Sequence, residues 1–190
     1  MNKKYAILVG DGMADYPVAE LDHRTPLQYA KTPNMDKIAS TGTVGQVKTI
    51  PDGYPPGSDV ANLSLMGYPP ELHYTGRAPI EAASLNIPIT AADTVFRCNL
   101  VTIENGVMID YSAGHMETET AHSLIAELKS QLPSEQFCFH PGISYRHILV
   151  IPEFPDGLKC IPPHDITDKQ INSFLPSGPG SEQIISLMEQ

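Results

Sequence analysis

The residues best placed to do chemistry are a serine at the start of a helix, an aspartate at the end of a strand, and a scatter of histidines and arginines further along. Ser58 follows Pro56-Gly57 and leads into Asp59-Val60-Ala61-Asn62-Leu63-Ser64-Leu65-Met66. The spacing puts it at the N-cap of a short helix over Val60 to Met66. Two roles fit that position. The hydroxyl can accept a bond from a backbone N–H two or three residues on. It can also act as a nucleophile where the helix dipole and free N–H groups favour a phosphate. Capping is the commoner role. Asn62, one turn later, either faces the same phosphate or lies exposed, and exposure is the plainer reading. Asp11 stands in Gly10-Asp11-Gly12-Met13-Ala14-Asp15, directly after the apolar run Tyr5 to Val9. An acidic group there sits at the carboxyl edge of a sheet, where open α/β sheets bind ligands. The flanking glycines equally favour a turn aspartate. Asp15 is the weaker candidate. Arg77 can hold an anion or solvate a surface, with the surface role slightly favoured.

The elements that must position these groups follow from apolar spacing and turn residues. Tyr5 to Val9 reads as a buried strand. A short helix is expected around Leu27 to Ala30. Thr32-Pro33 opens a second helix with a Met35, Ile38, Ala39 face, and Gly42 ends it. Thr43 to Ile50 reads as the next strand, with Val44 and Val47 inward, and a Pro/Gly-rich loop then delivers Ser58. Strand, acidic loop, helix, strand, loop, serine, helix is an α/β order. Beyond Gly67 the pattern predicts a helix at Pro79 to Ser84 and a strand at Thr94 to Ile103. A turn at Glu104-Asn105-Gly106 leads to a hairpin partner at Val107 to Asp110. After the loop Ser112-Ala113-Gly114-His115, Thr118 or Thr120 caps a helix with the stripe Ala121, Leu124, Ile125, Leu128, stopped by Pro133. Phe137 to Phe139 and Ser144 to Ile151 form a hairpin about Pro141-Gly142, with Arg146 and His147 on opposite sides. A Gly/Pro/Ser linker after Pro176 precedes a helical stripe of Ile184, Ile185 and Met188.

The 190 residues suffice for one good-sized domain or two small ones, and 41% hydrophobic with 18% charged residues is a foldable composition. No apolar run is long enough to span a membrane. Asp11 interrupts the N-terminal run, so a signal peptide is not expected. A net charge of -10 with no basic block argues against nucleic-acid binding. It leaves room for a phosphorylated substrate, which needs only local cations or a metal. Cys98, Cys138 and Cys160 show no C-x-x-C spacing and read as reduced thiols of a cytoplasmic protein.

Taken in order, four stretches carry a resemblance: Gly10 to Asp15, Thr32-Pro33-Asn34-Met35-Asp36, Gly57 to Tyr68, and Thr75 to Ala82. Phe96-Arg97-Cys98-Asn99, Ser144-Tyr145-Arg146-His147 and Pro162-Pro163-His164-Asp165 add to it. Together they resemble the archaeal-type 2,3-bisphosphoglycerate-independent phosphoglycerate mutases, a branch of the alkaline phosphatase superfamily. The resemblance spans essentially the whole chain. It implies an α/β fold: an incomplete alkaline phosphatase-like sheet with helices on both faces, plus a small inserted α+β domain. The implied division is a catalytic part over 1–111, a substrate-covering insert over 112–176, and a linker with the start of a helix over 177–190. The implied activity interconverts 2-phosphoglycerate and 3-phosphoglycerate, in glycolysis and gluconeogenesis, through a phosphoserine on Ser58. Two divalent ions (manganese, zinc or magnesium) would assist, with Asp11 and Ser58 as ligands. In the insert, His115, Arg146, His147, His164 and Asp165 become substrate-binding candidates. Arg146 is foremost, because a guanidinium matches a carboxylate or phosphate fork. Each of them has an ordinary structural role as its alternative.

The chain departs from the family in one respect. The Asp-x-x-x-His element that helps complete the metal site is not visible among His23, His73, His115, His122, His140, His147 and His164. The chain is therefore expected to be the front half of a longer polypeptide. It should be poorly active alone, and should pair with the missing half or a second copy. Other readings compatible with Asp11 and Ser58 are a related metal-dependent phosphotransferase such as a homoserine kinase, a hydrolytic phosphatase, and a non-catalytic truncated domain.

Overall fold

The computed structural model describes residues 3–132 and 135–190, so the helix stop expected of Pro133 falls outside the described residues. The chain divides into two units, Met1–Lys48 and Thr49–Gln190. In the first, sequence and structure part company. Tyr5 to Val9 and Thr43 to Ile50 form no strand, although their residues favour extended backbone. A strand persists only where its N–H and C=O groups find a ladder partner, and neither run has one among the described residues. Leu8 is 91% exposed, and Val44 and Val47 are exposed as well. The helices did form. α1 (Pro26–Tyr29) is opened by a capping box in which the Thr25 hydroxyl accepts from Gln28 N–H at 3.1 Å and the Gln28 amide oxygen accepts from Thr25 N–H at 2.9 Å. α2 (Pro33–Thr41) has Pro33 in its first turn and Gly42 at its end. The expected Met35, Ile38, Ala39 face lies uncovered, and α2 buries no residue.

The second unit closes a core of its own. α3 (Ser58–Leu65), α4 (Pro70–His73) and α5 (Arg77–Ser84) lead into β1 (Asp93–Asn99). A hairpin of β2 (Thr102–Glu104) and β3 (Val107–Asp110) follows, then α6 (Thr118–Gln131), β4 (Cys138–His140), β5 (Arg146–Pro152) and α7 (Ser181–Glu189). The hairpin turn is the expected one, with Asn105 and Gly106 both left-handed. The main sheet has the order β1-β5-β4 and is antiparallel throughout, its β4–β5 pair being the hairpin expected about Pro141-Gly142. Thr118 and Thr120 do not cap α6; Glu117 holds that position, and the Thr118 hydroxyl instead accepts from Ser144 N–H at 3.1 Å.

Alternation along β5 explains the packing. His147, Leu149 and Ile151 face one side, and Ile148 and Val150 the other. On the first side Leu149 and Ile151 meet Ile125 of α6, Phe139 of β4 and Ile184 of α7. On the second, Ile148 and Val150 meet Ala82 and Ile87 from α5 and the turn after it. The sheet therefore carries helices on both faces. It draws strands from both sides of the boundary expected near residue 111, and α7 returns to the core past the expected linker. Cys98 packs against that core, and burial pushes its thiol up to about 11. None of the three cysteines forms a disulfide.

Candidate functional site

Ser58 occupies the first turn of α3, but not as its cap. Gly57 is the N-cap, and α3 begins at Ser58 rather than Val60. The reason is local. Gly57 takes an extended conformation, and its carbonyl accepts the first helical bond from Ala61 N–H at 3.0 Å. Ser58 is exposed and lies inside the first turn rather than at the cap, beside first-turn N–H groups that lack an intrahelical partner. The next residue is held: Asp59 accepts a 2.6 Å bond from the Tyr74 hydroxyl. Burial, and then the bond to Asp59, push the Tyr74 hydroxyl up to about 12. Asn62 lies exposed on α3, as the plainer reading had it. Asp11 is an exposed turn residue of the first unit, ahead of Gly12 at φ +73°.

The insert candidates fare differently. Tyr111 and Tyr145 pack edge to face, with ring centroids 6.0 Å apart. His115 stacks on Tyr145 at 6.1 Å, His164 meets Tyr111 at 6.1 Å, and the Arg146 guanidinium lies 5.6 Å from the Tyr145 ring centre. Asp165 stands beside His164, 3.5 Å from its Nε2. Four of the five insert candidates therefore gather around two tyrosines. Arg146 has no acidic partner among the described residues, and its Nε is buried without a hydrogen bond. Asn99, opposite it across the ladder, likewise has a buried Oδ1 without a partner.

His147 does not join the group. It is 1% exposed on the other side of β5, where its Nδ1 accepts from Gly142 N–H at 3.0 Å. The Gly142 carbonyl is 2.8 Å from His122 Nε2. Burial and the neighbouring His122 push the His147 imidazole down to about 4.

Sequence reasoning did not single out Tyr111, Tyr145, Asp110 or Ser112. Their signal was available only as neighbours: Tyr145 precedes Arg146, and Asp110-Tyr111-Ser112 ends a strand ahead of His115. For a metal, the residues present do not make a site. Asp11 and Ser58 offer one carboxylate and one hydroxyl, whereas divalent ions take four or more ligands. No group of three or more His, Cys, Asp or Glu residues able to hold an ion occurs among the described residues. No described helix is long and apolar enough to cross a membrane.

Residues 39–190 match the family model described as 2,3-bisphosphoglycerate-independent phosphoglycerate mutase. The mutase of that name from Methanosarcina acetivorans is 53% identical over 187 residues, which are 98% of this chain and 47% of that protein. A Geobacter sulfurreducens protein named as a probable mutase of the same kind is 48% identical over 97% of this chain and 47% of its own length. In structure, the cofactor-independent phosphoglycerate mutase of Thermoplasma acidophilum superposes with a TM-score of 0.50 at 29% identity, over 94% of this chain and 49% of that one. The chain spans about half the length of the curated relatives it matches.

Proposed function

The chain belongs to the 2,3-bisphosphoglycerate-independent phosphoglycerate mutase family, and from that premise we propose that it is the nucleophile-bearing half of a mutase that interconverts 3-phosphoglycerate and 2-phosphoglycerate. Ser58 Oγ attacks the phosphorus, the glycerate oxygen leaves with a proton, and Ser58 carries the phosphoryl group. The other glycerate hydroxyl then attacks that phosphorus, loses its proton, and frees the serine. Phosphoryl transfer rests mainly on positioning and charge neutralisation, and the unpaired N–H groups at the start of α3 suit the transferring oxygens. The observation that carries the reading is Ser58 itself: exposed, uncommitted to capping, and at a helix N-terminus, within a match to this family that covers it.

Arg146 would take the carboxylate or phosphate, with His115, His164 and Asp165 around the glycerate. His147, buried on the other side of β5, instead accepts from Gly142 N–H. Asp11 and Ser58 would each give one ligand to a pair of divalent ions (manganese, zinc or magnesium) whose other ligands come from outside the described residues. The proposed architecture is an alkaline phosphatase-like catalytic domain carrying a smaller α+β insert, in a cytoplasmic enzyme. The proposed partner of this chain is polypeptide equivalent to the remainder of the relatives.

The test is to join this chain to the remaining portion of the Methanosarcina acetivorans relative and assay interconversion of the two phosphoglycerates. The joined protein is expected to turn over, and Ser58→Ala to lower kcat by about a thousandfold or more. The 190 residues alone should show little turnover. Undiminished interconversion by Ser58→Ala would remove the serine from its role.

A further inference from the structure

We infer that Asp110 and Ser112 are positioning residues that fix the tautomer of His115, so that its Nε2 presents a lone pair to a hydroxyl of the substrate. β3 ends at Asp110, and its carboxylate is fully engaged. Oδ1 accepts from Ser112 N–H at 2.8 Å and from the Ser112 hydroxyl at 2.6 Å, and Oδ2 accepts from Gly114 N–H at 2.7 Å. These bonds, the Ser112 hydroxyl first, hold the Asp110 carboxyl below the usual carboxylate range, so it can only accept.

The proton count then decides the imidazole. Ser112 has one hydroxyl proton, and it goes to Asp110. The 2.6 Å contact between Ser112 Oγ and His115 Nδ1 must therefore be donated by His115. With Nδ1 protonated, neutral His115 keeps its lone pair on Nε2. Burial separates the two ends of this device. Ser112 is 2% exposed, whereas His115 is exposed, so the orienting bond is shielded from water and the working nitrogen is not.

The backbone is bent to make this arrangement. Ala113, Gly114 and His115 stand at φ +48°, +70° and +53°. Consecutive left-handed residues with side chains persist only where their surroundings hold them, and such strain gathers at functional sites. The three bonds to Asp110, with His115 N–H to the Ser112 carbonyl at 3.0 Å, supply that hold. Stacking on Tyr145 sets the ring plane, on the same tyrosine that carries the Arg146 guanidinium. A hydroxy acid bearing a carboxylate or phosphate would thus meet a cation and a proton acceptor on neighbouring groups. The target of Nε2 rests on the function proposed above; the tautomer does not.

Long-range nitrogen–proton NMR on the 190-residue chain, at a pH where His115 is neutral, reads the tautomer directly. The expected result is a protonated Nδ1 and a bare Nε2. Ser112→Ala should move the proton to Nε2, and Ser112→Thr should restore it. A protonated Nε2 in the unaltered chain overturns the inference without recourse to any variant. In the joined enzyme, Ser112→Ala should lower kcat about a hundredfold with KM nearly constant, and Ser112→Thr should recover most of the loss. A loss confined to KM would mark a merely structural serine and overturn the positioning role. The two readings fail separately: an active Ser58→Ala enzyme removes the proposed function whatever the tautomer, whereas a wrong tautomer in an enzyme that needs Ser58 removes only this inference.

Discussion

The two units of this chain have similar apolar sequence patterns and opposite fates. In residues 49–190 the apolar positions close on one another, and Ile125 and Ile148 are fully buried. In residues 3–48 they stay open, Leu8 and Val44 among them. The difference lies in where the partners are. β5 finds β1 and β4 within the same unit, β4 through a short hairpin connection. Parallel strands of the kind expected at Tyr5 to Val9 need neighbours brought by crossovers and must be covered on both faces. An apolar run is a demand for a partner, and only one of these units meets it from its own residues. The proposed joining to the remainder of the relatives would answer the demand in the other.

The sharpest way to break that comparison is to truncate both sides. Ile148→Ala, in the cluster with Ala82, Ile87 and Val150, should cost about 2–5 kcal/mol, read as a lower denaturant midpoint of the 190-residue chain. Ile7→Ala, at a position that is exposed, should change it by no more than about 0.5 kcal/mol. Equal costs would show that the first unit has a core of its own. In the joined protein the Ile7→Ala cost should rise toward the core range.

Local grammar was legible wherever its consequences were local. Asn105-Gly106, Thr32-Pro33 and the Ala121, Leu124, Ile125, Leu128 stripe each specify a nearby geometry, and the turn and both helices formed, although Leu124 stays exposed. Caps were less legible: Ser58 and Thr118 each lie one residue inside their helix, because Gly57 and Glu117 supply the extended residue before it. The site was legible as types and not as a constellation. Arg146 and His147 alternate as any strand pair must, but only the sheet's packing decides that His147 turns into the core and Arg146 toward the tyrosines. Nothing local in Asp110-Tyr111-Ser112 announces that its serine hydroxyl will meet His115, since that depends on three successive left-handed residues.

His147 offers a second contrast, because the buried unit contains a titratable group that must stay neutral. Its value falls from 6.5 to about 4 on folding. Between those values the unfolded chain binds a proton that the folded chain does not. The stability is thus fully present above about 6.5 and is lost as the pH falls toward about 4. His147→Gln can keep an acceptor for Gly142 N–H, and its stability should fall less steeply over the same window. Midpoints measured from pH 7 to pH 4 for both proteins isolate the histidine from the carboxylates they share. Parallel slopes would mean that His147 is accessible to protons in the folded chain, and that the enclosure of this unit is looser than its packing implies.

The smallest effect compares one ion pair from each unit. Arg97 of β1 meets Glu81 of α5 at 2.9 Å, with side chains 21% and 26% exposed, whereas Arg24 and Asp22 meet at 3.1 Å with side chains 46% and 85% exposed. Exposed pairs are screened and pay side-chain entropy, so their coupling is about 0.5 kcal/mol or less. The Arg97–Glu81 pair ties a helix to the sheet it covers, and its partial burial weakens the screening, so a double-mutant cycle with alanine at both positions should give about 1 kcal/mol. Raising the salt concentration should erode the Arg24–Asp22 coupling first. Couplings of equal size and equal salt dependence would place both pairs in the same solvent, and the contrast between the units would then rest on apolar burial alone.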